Sequence, residues 1–393
     1  MVKVGVLTFH YSNNIGAVLQ AYALCRVLEH LGHEVHVINY RPYLELIASS
    51  VIRPDKLVKK YGELRFPIHK TIRSMVGEIV YYLPDVPIEI RRASAFNSFR
   101  EKYLKIKPRK GITNLEGLKH ECSNYEAIIV GSDLVWHPEA LKYSNYGYLL
   151  PFRLRNVIKI GFSASIGVEV SACKELLTLY RWFLRVFKFI SVRERRNAEE
   201  LSRVIKRDVY HTLDPTLLAS RKDFEEISCD SLSSLPERYA LLYNLDPSLL
   251  PLAELLEKLT ELPVIVYRKP DLREKLLYNK WIKNRMSFYH VSPQDFIAML
   301  KHAELMFTDS YHGLTLSILF EKPVLVTVSR RALRIRSRIE DLADLLGLQH
   351  RIVKRKDDIV KVLREDIDYD AVKSRLNEYK RVSIELLKKA LET

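Results

Sequence analysis

The chain has 393 residues, long for one core and natural for two or three domains. Hydrophobic residues make up 47% of it, no run of eighteen apolar residues occurs, and Cys25, Cys122, Cys173 and Cys229 stand alone without a Cys-x-x-Cys pair. That composition is globular and predicts neither a membrane helix, nor a disulfide framework, nor a metal site. The net charge of +15 is uneven, since residues 51–110 carry 15 Lys and Arg against 6 Asp and Glu. The same segment holds Ile72, Met75, Val76, Ile79, Tyr81 and Tyr82. A basic amphipathic region suits an anionic membrane surface, and a plain solvated face accounts for it equally. No RNP, zinc-finger or KH signature supports nucleic acid as a partner.

Met1 to Leu7 runs straight into a strand pattern without a signal-peptide core, so the expected compartment is the cytoplasm, with the inner membrane face as the place for peripheral attachment. Val2–Phe9 reads as a buried parallel strand, Ala17–Leu31 as a helix stopped by Gly32, and Glu34–Tyr40 as the next strand. The loop between them holds Asn13, Asn14 and Gly16 where a dinucleotide site needs Gly-x-Gly-x-x-Gly, so no NAD site is predicted. Residues 44–104 read as mainly helical and basic. Strands follow at Tyr125–Val130, Val157–Phe162, Phe189–Val192 and Val209–Leu213. Each delivers a polar cluster at its carboxyl end: Gly131-Ser132-Asp133, Ser163-Ala164-Ser165, Arg193-Glu194 and Asp214-Pro215-Thr216. That is the layout of a doubly wound sheet with a crevice along one edge.

A polar stretch from about 217 to 238 separates a second α/β unit. Its strands are expected at Tyr239–Leu245, Val264–Tyr267, Ala303–Phe307 and Pro323–Val328, with helices at 247–259, 271–281, 296–301, 314–321 and 335–346. Ser292-Pro293-Gln294-Asp295 reads as a helix start, with Ser292 as cap and Asp295 at the third position. Tyr369–Leu391 reads as a long charged helix that packs back on the first domain. The expected division is therefore 1–217 with a basic helical insertion at 44–110, then 238–356, then a helical segment at 357–393. The turn Thr308-Asp309-Ser310-Tyr311-His312-Gly313 joins a strand to a buried helix, and His312 there can act as acid or base near neutral pH.

In number and order these clusters resemble those of the polysaccharide pyruvyl transferase family, over about residues 4–353. The resemblance rests on Asn14-Ile15-Gly16-Ala17, Gly131-Ser132-Asp133 with Val135-Trp136, and Phe162 to Gly167. It continues through Ser191-Val192-Arg193-Glu194, Leu213 to Thr216, the 308–313 turn and Arg338 to Leu342. It implies two Rossmann-like domains in a glycosyltransferase-B-like arrangement, the first on the acceptor side and the second on the donor side. It implies a transferase that moves a pyruvyl group from phosphoenolpyruvate to hydroxyls of a surface polysaccharide or glycolipid, usually as a ketal, with no other cofactor.

Phosphoenolpyruvate is an enol phosphate, so its transfer needs a proton donor, cations for two anionic groups and an acceptor for the hydroxyl proton. His312 matches the family histidine and is the expected general acid. Asp133 or Asp309 would take the hydroxyl proton or orient His312, and each reads as well as a helix cap. Arg193, Ser310, Thr308, Gly313, Asn14 and Gly16 are the expected donor-binding residues, with Arg193 equally readable as an ion-pair partner. Trp136, Ser132, Ser163 and Ser165 are the expected acceptor-binding residues, Trp136 by stacking on a sugar ring unless it is core. Asp214 reads as the fixer of an Asp-Pro turn. Two departures stand out: Ser310 where family members can carry Arg, and Leu134 where Gln is common. Arg268, Lys322 or the cluster Arg330, Arg331, Arg334, Arg336 and Arg338 would then have to supply the missing charge. Two other classes fit the fold: a glycosyltransferase using a nucleotide sugar, with Tyr267 and Glu304 as its base and ribose contacts, and a non-catalytic glycan-binding relative.

Overall fold

The computed structural model describes residues 1–42, 86–229, 235–244, 246, 250–268, 288–327 and 336–392. Most of the expected basic insertion, the helix expected at 271–281, and Arg330, Arg331 and Arg334 lie outside the described residues. Two parallel sheets carry the fold. The first comprises β1 (Lys3–Leu7), β2 (Glu34–Tyr40), β3 (Ile106–Ile112), β4 (Ala127–Val130), β5 (Ile158–Ala164), β6 (Phe189–Val192) and β7 (Tyr210–His211), in the order β3-β2-β1-β4-β5-β6-β7. The second comprises β8 (Ala240–Tyr243), β9 (Val264–Tyr267), β10 (Leu305–Thr308), β11 (Val324–Thr327) and β12 (Ile352–Val353), in the order β12-β11-β10-β8-β9. Both are doubly wound orders, with reversal points between β1 and β4 and between β8 and β10. The register Leu7↔Val130 brings Thr8 and Gly131 to one edge, and Thr308↔Tyr243 does the same for the 308–313 turn.

The central strands are short, apolar and buried on both faces, as parallel strands between helix layers must be. The edge strand β3 differs. Its sequence Ile-Lys-Pro-Arg-Lys-Gly-Ile is basic and partly exposed, and Pro108 is tolerated because an edge strand leaves amides unpaired. Asn14 starts the first helix two residues earlier than expected, at Ile15, because its Oδ1 accepts from the Ala17 amide at 3.1 Å. That Ile15–His30 helix is buried continuously from Ile15 to Cys25, since it lies in the seam between the domains against the Pro215–Leu218 and Pro293–His302 helices. The Ser292 cap forms as a reciprocal pair with Asp295, at 3.1 and 3.0 Å, with Pro293 first in the helix.

The Lys356–Arg364 helix stays with the second sheet, packing on the Leu250–Thr260 helix. The Tyr369–Leu391 helix crosses to the first domain. Its Ser383 Oγ accepts from the Leu213 amide at 3.1 Å, and its Lys380 Nζ donates to the Ala219 carbonyl at 3.1 Å. One apolar cluster runs unbroken from Val4 through Leu217 and Tyr239 to Leu391, so the two sheets share a core across the seam. Among the described residues no helix is long and apolar enough to cross a membrane.

Candidate active site

The carboxyl edges of the two sheets meet at His312. Ser310 caps the Tyr311–Leu319 helix, its Oγ accepting from Gly313 N at 3.4 Å, and so fixes His312 at the first turn. Gly313 is required behind it, because a Cβ there would come within 2.5 Å of Thr308 Oγ1. Thr308 donates to the Tyr243 carbonyl at 2.7 Å and accepts from Ser310 N at 3.0 Å. The expected donor-binding residues Thr308, Ser310 and Gly313 therefore build the turn.

The first domain closes on the other side of the ring. A Cβ at Gly16 would overlap His312 Nδ1 and lie 2.6 Å from Cγ, so only glycine lets the helix start approach the imidazole. His312 Nε2 stands 3.4 Å from Arg193 Nη1 and 3.7 Å from Asp214 Oδ2. One nitrogen thus faces both a fixed donor and a carboxylate. Neutral, it can accept from the guanidinium; protonated, it can donate to Asp214.

Of the two expected readings of Arg193, the structure shows the ion-pair partner. Its guanidinium is buried and bridges two carboxylates, Asp214 at 2.5 Å and Asp133 at 3.1 Å. Those partners raise its pKa despite burial, and in return hold both carboxyls below the usual range. Asp214 was expected only to fix a turn. It does so, accepting from Thr216 N at 2.9 Å and Thr216 Oγ1 at 2.7 Å, and its other oxygen serves Arg193, Ser132 Oγ at 3.1 Å and the His312 ring. The Asp-Pro sequence signalled the cap, and nothing local to it signalled the histidine 98 residues away. Asp133 takes a left-handed backbone, φ 72°, rare for a non-glycine residue, and its Oδ1 also accepts from Leu134 N at 2.9 Å.

Asp309 does not take the expected part of orienting His312 through a hydrogen bond. It accepts from the Asp246 amide at 2.9 Å, and among the described residues no hydrogen bond links it to His312. Burial pushes its carboxyl up to about 7, with the Arg268 charge acting against that rise. Of the two expected readings of Trp136, the structure shows core packing and not sugar stacking: it is fully buried, and its Nε1 donates to the Tyr148 carbonyl at 3.1 Å. The hydroxyls expected on the acceptor are likewise engaged inside the protein. Ser132 donates to Asp214, Ser163 to the Leu213 carbonyl at 2.7 Å, and Ser165 to Glu194. Asn14 spends its side chain on the helix cap.

Tyr311 and Arg338 complete the site. The Tyr311 ring stands edge-on to His312 at 5.5 Å and lies beneath both guanidinium groups, Arg193 at 5.1 Å and Arg338 at 5.5 Å. Arg338 is buried, reaches Ser165 Oγ at 3.5 Å, forms no ion pair among the described residues, and has an Nε with no partner. Glu194 Oε2 and Arg193 Nε are also buried without a hydrogen bond. These three buried polar atoms are therefore left with hydrogen-bonding capacity that a polar ligand or water could use.

The contacts expected of a nucleotide site are occupied. Tyr267 is buried between Tyr243 and Phe296, with its hydroxyl accepting from Arg92 at 2.9 Å, and Glu304 pairs with Arg238 at 3.1 Å on the surface. Among the described residues no cluster of three His, Cys, Asp or Glu side chains has the spacing of a metal site.

A model of the family described as polysaccharide pyruvyl transferase matches residues 14–329. No curated protein matches the chain. Among solved structures it is similar to the UDP-GlcNAc 2-epimerase of Methanocaldococcus jannaschii, at 11% identity over 93% of each chain and a TM-score of 0.53. It is similar also to the UDP-N-acetylglucosamine 2-epimerase of Rickettsia bellii, at 10% identity over 99% of this chain and 95% of that one, with a TM-score of 0.52. At such identities the likeness is one of fold, and the fold is glycosyltransferase-B-like.

Proposed function

The chain belongs to the polysaccharide pyruvyl transferase family, and from that premise we propose that it transfers a pyruvyl group from phosphoenolpyruvate to two hydroxyls of a glycan, forming a ketal. The observation that carries the reading is His312, a titratable ring from one domain held between Gly16 and the Arg193–Asp214 pair of the other. In this reading protonated His312 delivers its proton to the terminal carbon of the enol phosphate. The C=C electron pair forms the new C–H bond and leaves an oxocarbenium-like centre. A glycan hydroxyl attacks that centre, the C–O bond to phosphate breaks, and a second hydroxyl closes the ketal. Of the two hydroxyl protons, one balances the proton gained by carbon and the other leaves with phosphate.

Asp214 holds the imidazolium and is itself kept ionised by Arg193. Arg338 takes the role expected of an arginine at position 310, because its guanidinium is buried beside Tyr311 and Ser165 without a carboxylate of its own. Asp133, the other carboxylate on Arg193, receives the hydroxyl proton. The test is a thermal-shift screen of phosphoenolpyruvate against a panel of nucleotide sugars, followed by a phosphate-release assay. Stabilisation by phosphoenolpyruvate and phosphate release with a glycan acceptor support the reading; stabilisation by a nucleotide sugar alone overturns it.

A further inference from the structure

Arginines gather at a second place on the same edge, three strands away from Arg338. Arg41 follows β2 directly, and its Nε donates to Asn39 Oδ1 at 2.7 Å. The same oxygen faces His10 Nε2 at 3.2 Å, at the end of β1. Arg100 comes from the Val86–Tyr103 helix and donates to Ser12 O at 3.3 Å and to Asn13 Oδ1 at 3.0 Å, in the loop that leads to Gly16. Arg41 and Arg100 are near enough to repel one another, and both act on His10, which burial and these two charges lower to about 4. Among the described residues neither arginine forms an ion pair, and the Nε of Arg100, a residue 5% exposed, has no partner. Two like charges held together, one of them buried, cost free energy that a bound anion would offset.

The position separates this cluster from the donor. Going from β2 to β5 crosses β1 and β4, three strand spacings, or about 14 Å at ~4.8 Å each. Phosphoenolpyruvate carries its carboxylate and phosphate on one carbon and cannot bridge Arg338, at the end of β5, and Arg41. The His312 ring lies against Gly16, at the far end of the loop that Arg100 holds. We propose that Arg41 and Arg100 form an oxyanion subsite that takes a phosphate or carboxylate carried by the acceptor glycan. The acceptor assignment rests on the pyruvyl-transfer reading; the anion site itself does not.

The test is calorimetric titration of inorganic phosphate, and separately of glucuronate, into the full-length protein with and without saturating phosphoenolpyruvate. The proposal expects one of these anions to bind with phosphoenolpyruvate present, which of them distinguishing a phosphorylated from an acidic sugar. Arg41→Gln should weaken that binding at least tenfold and Arg41→Lys should recover most of it, with phosphoenolpyruvate affinity unchanged in both. Absence of any anion binding to the wild type, or binding untouched by Arg41→Gln, overturns the proposal. If phosphoenolpyruvate does not bind at all, the titrations without it still read the subsite, so failure of the transfer reading is distinguishable from failure of this one.

Discussion

The two sheet edges that face each other across the seam are built on opposite principles. The edge of the second sheet offers one titratable ring on a turn whose neighbours, Thr308, Ser310 and Gly313, bond to each other and to Tyr243. The edge of the first sheet offers a charged network, Asp133–Arg193–Asp214, drawn from the ends of three different strands and closed on itself. The first arrangement is local and sets where a proton can sit. The second is long-range and sets the field that the proton feels. A catalytic ring needs both, because placement by its own turn says nothing about charge.

Breaking the network should have the largest effect among the supporting residues. Asp214→Ala leaves Arg193 half paired in a buried site, which destabilises by about 3 kcal/mol, and turnover should drop roughly a hundredfold as the ring loses its carboxylate. Chemical denaturation and phosphate release measure the two parts separately. Asp214→Asn should recover part of the stability and little of the turnover. Gly16→Ala comes next, because its Cβ would enter the space of the imidazole. Turnover should fall at least tenfold, in line with a ring displaced by about 1 Å. In a His312→Ala background the same substitution should cost almost nothing, since the obstructed ring is gone.

Legibility follows the same division. The turn was readable because its strand, cap, glycine and histidine are consecutive, and the Ser292 cap and most parallel strands were readable for the same local reason. The network was not. Arg193 reads beside Glu194 in sequence, yet its guanidinium reaches Asp133 and Asp214, and Glu194 instead accepts from Ser165 and from Gly167 N at 3.1 Å. Asp214 reads as a cap in the sequence, which does not show that its other oxygen stands 3.7 Å from His312 Nε2. Trp136 reads in the sequence as either a sugar platform or core, and the path of the chain through Tyr148 decides for core. Strand β3 was missed because an exposed edge lets Lys, Arg and Pro replace the apolar alternation on which strand reading depends. Arg92 and Arg100 belong in sequence to a basic segment that fits a membrane surface or a solvated face, whereas in the fold they pin the Asn13 loop from far along the chain.

Asp309 sharpens the comparison by pH. Its folded carboxyl is pushed up to about 7 from 3.8, so the native state prefers the proton. The stability it contributes is fully present below about pH 4 and is lost as pH rises through 7. Asp309→Asn should therefore flatten the fall in melting temperature between pH 5 and pH 8, and an unchanged slope would count against a protonated Asp309. The smallest effect is expected at Asp341, which accepts from the Arg195 amide at 3.1 Å and so caps a first-domain helix from the second domain. Asp341→Ala should lower stability by about 1 kcal/mol, seen as a small shift of the denaturation midpoint.

The central claim, that His312 is the proton donor and not a binding residue, is tested most directly by His312→Ala. Phosphoenolpyruvate affinity, read by titration calorimetry beside phosphate release, should stay within about threefold of the parent while release falls at least a hundredfold, the scale of general acid catalysis. Phosphate release unchanged in that variant would contradict the account.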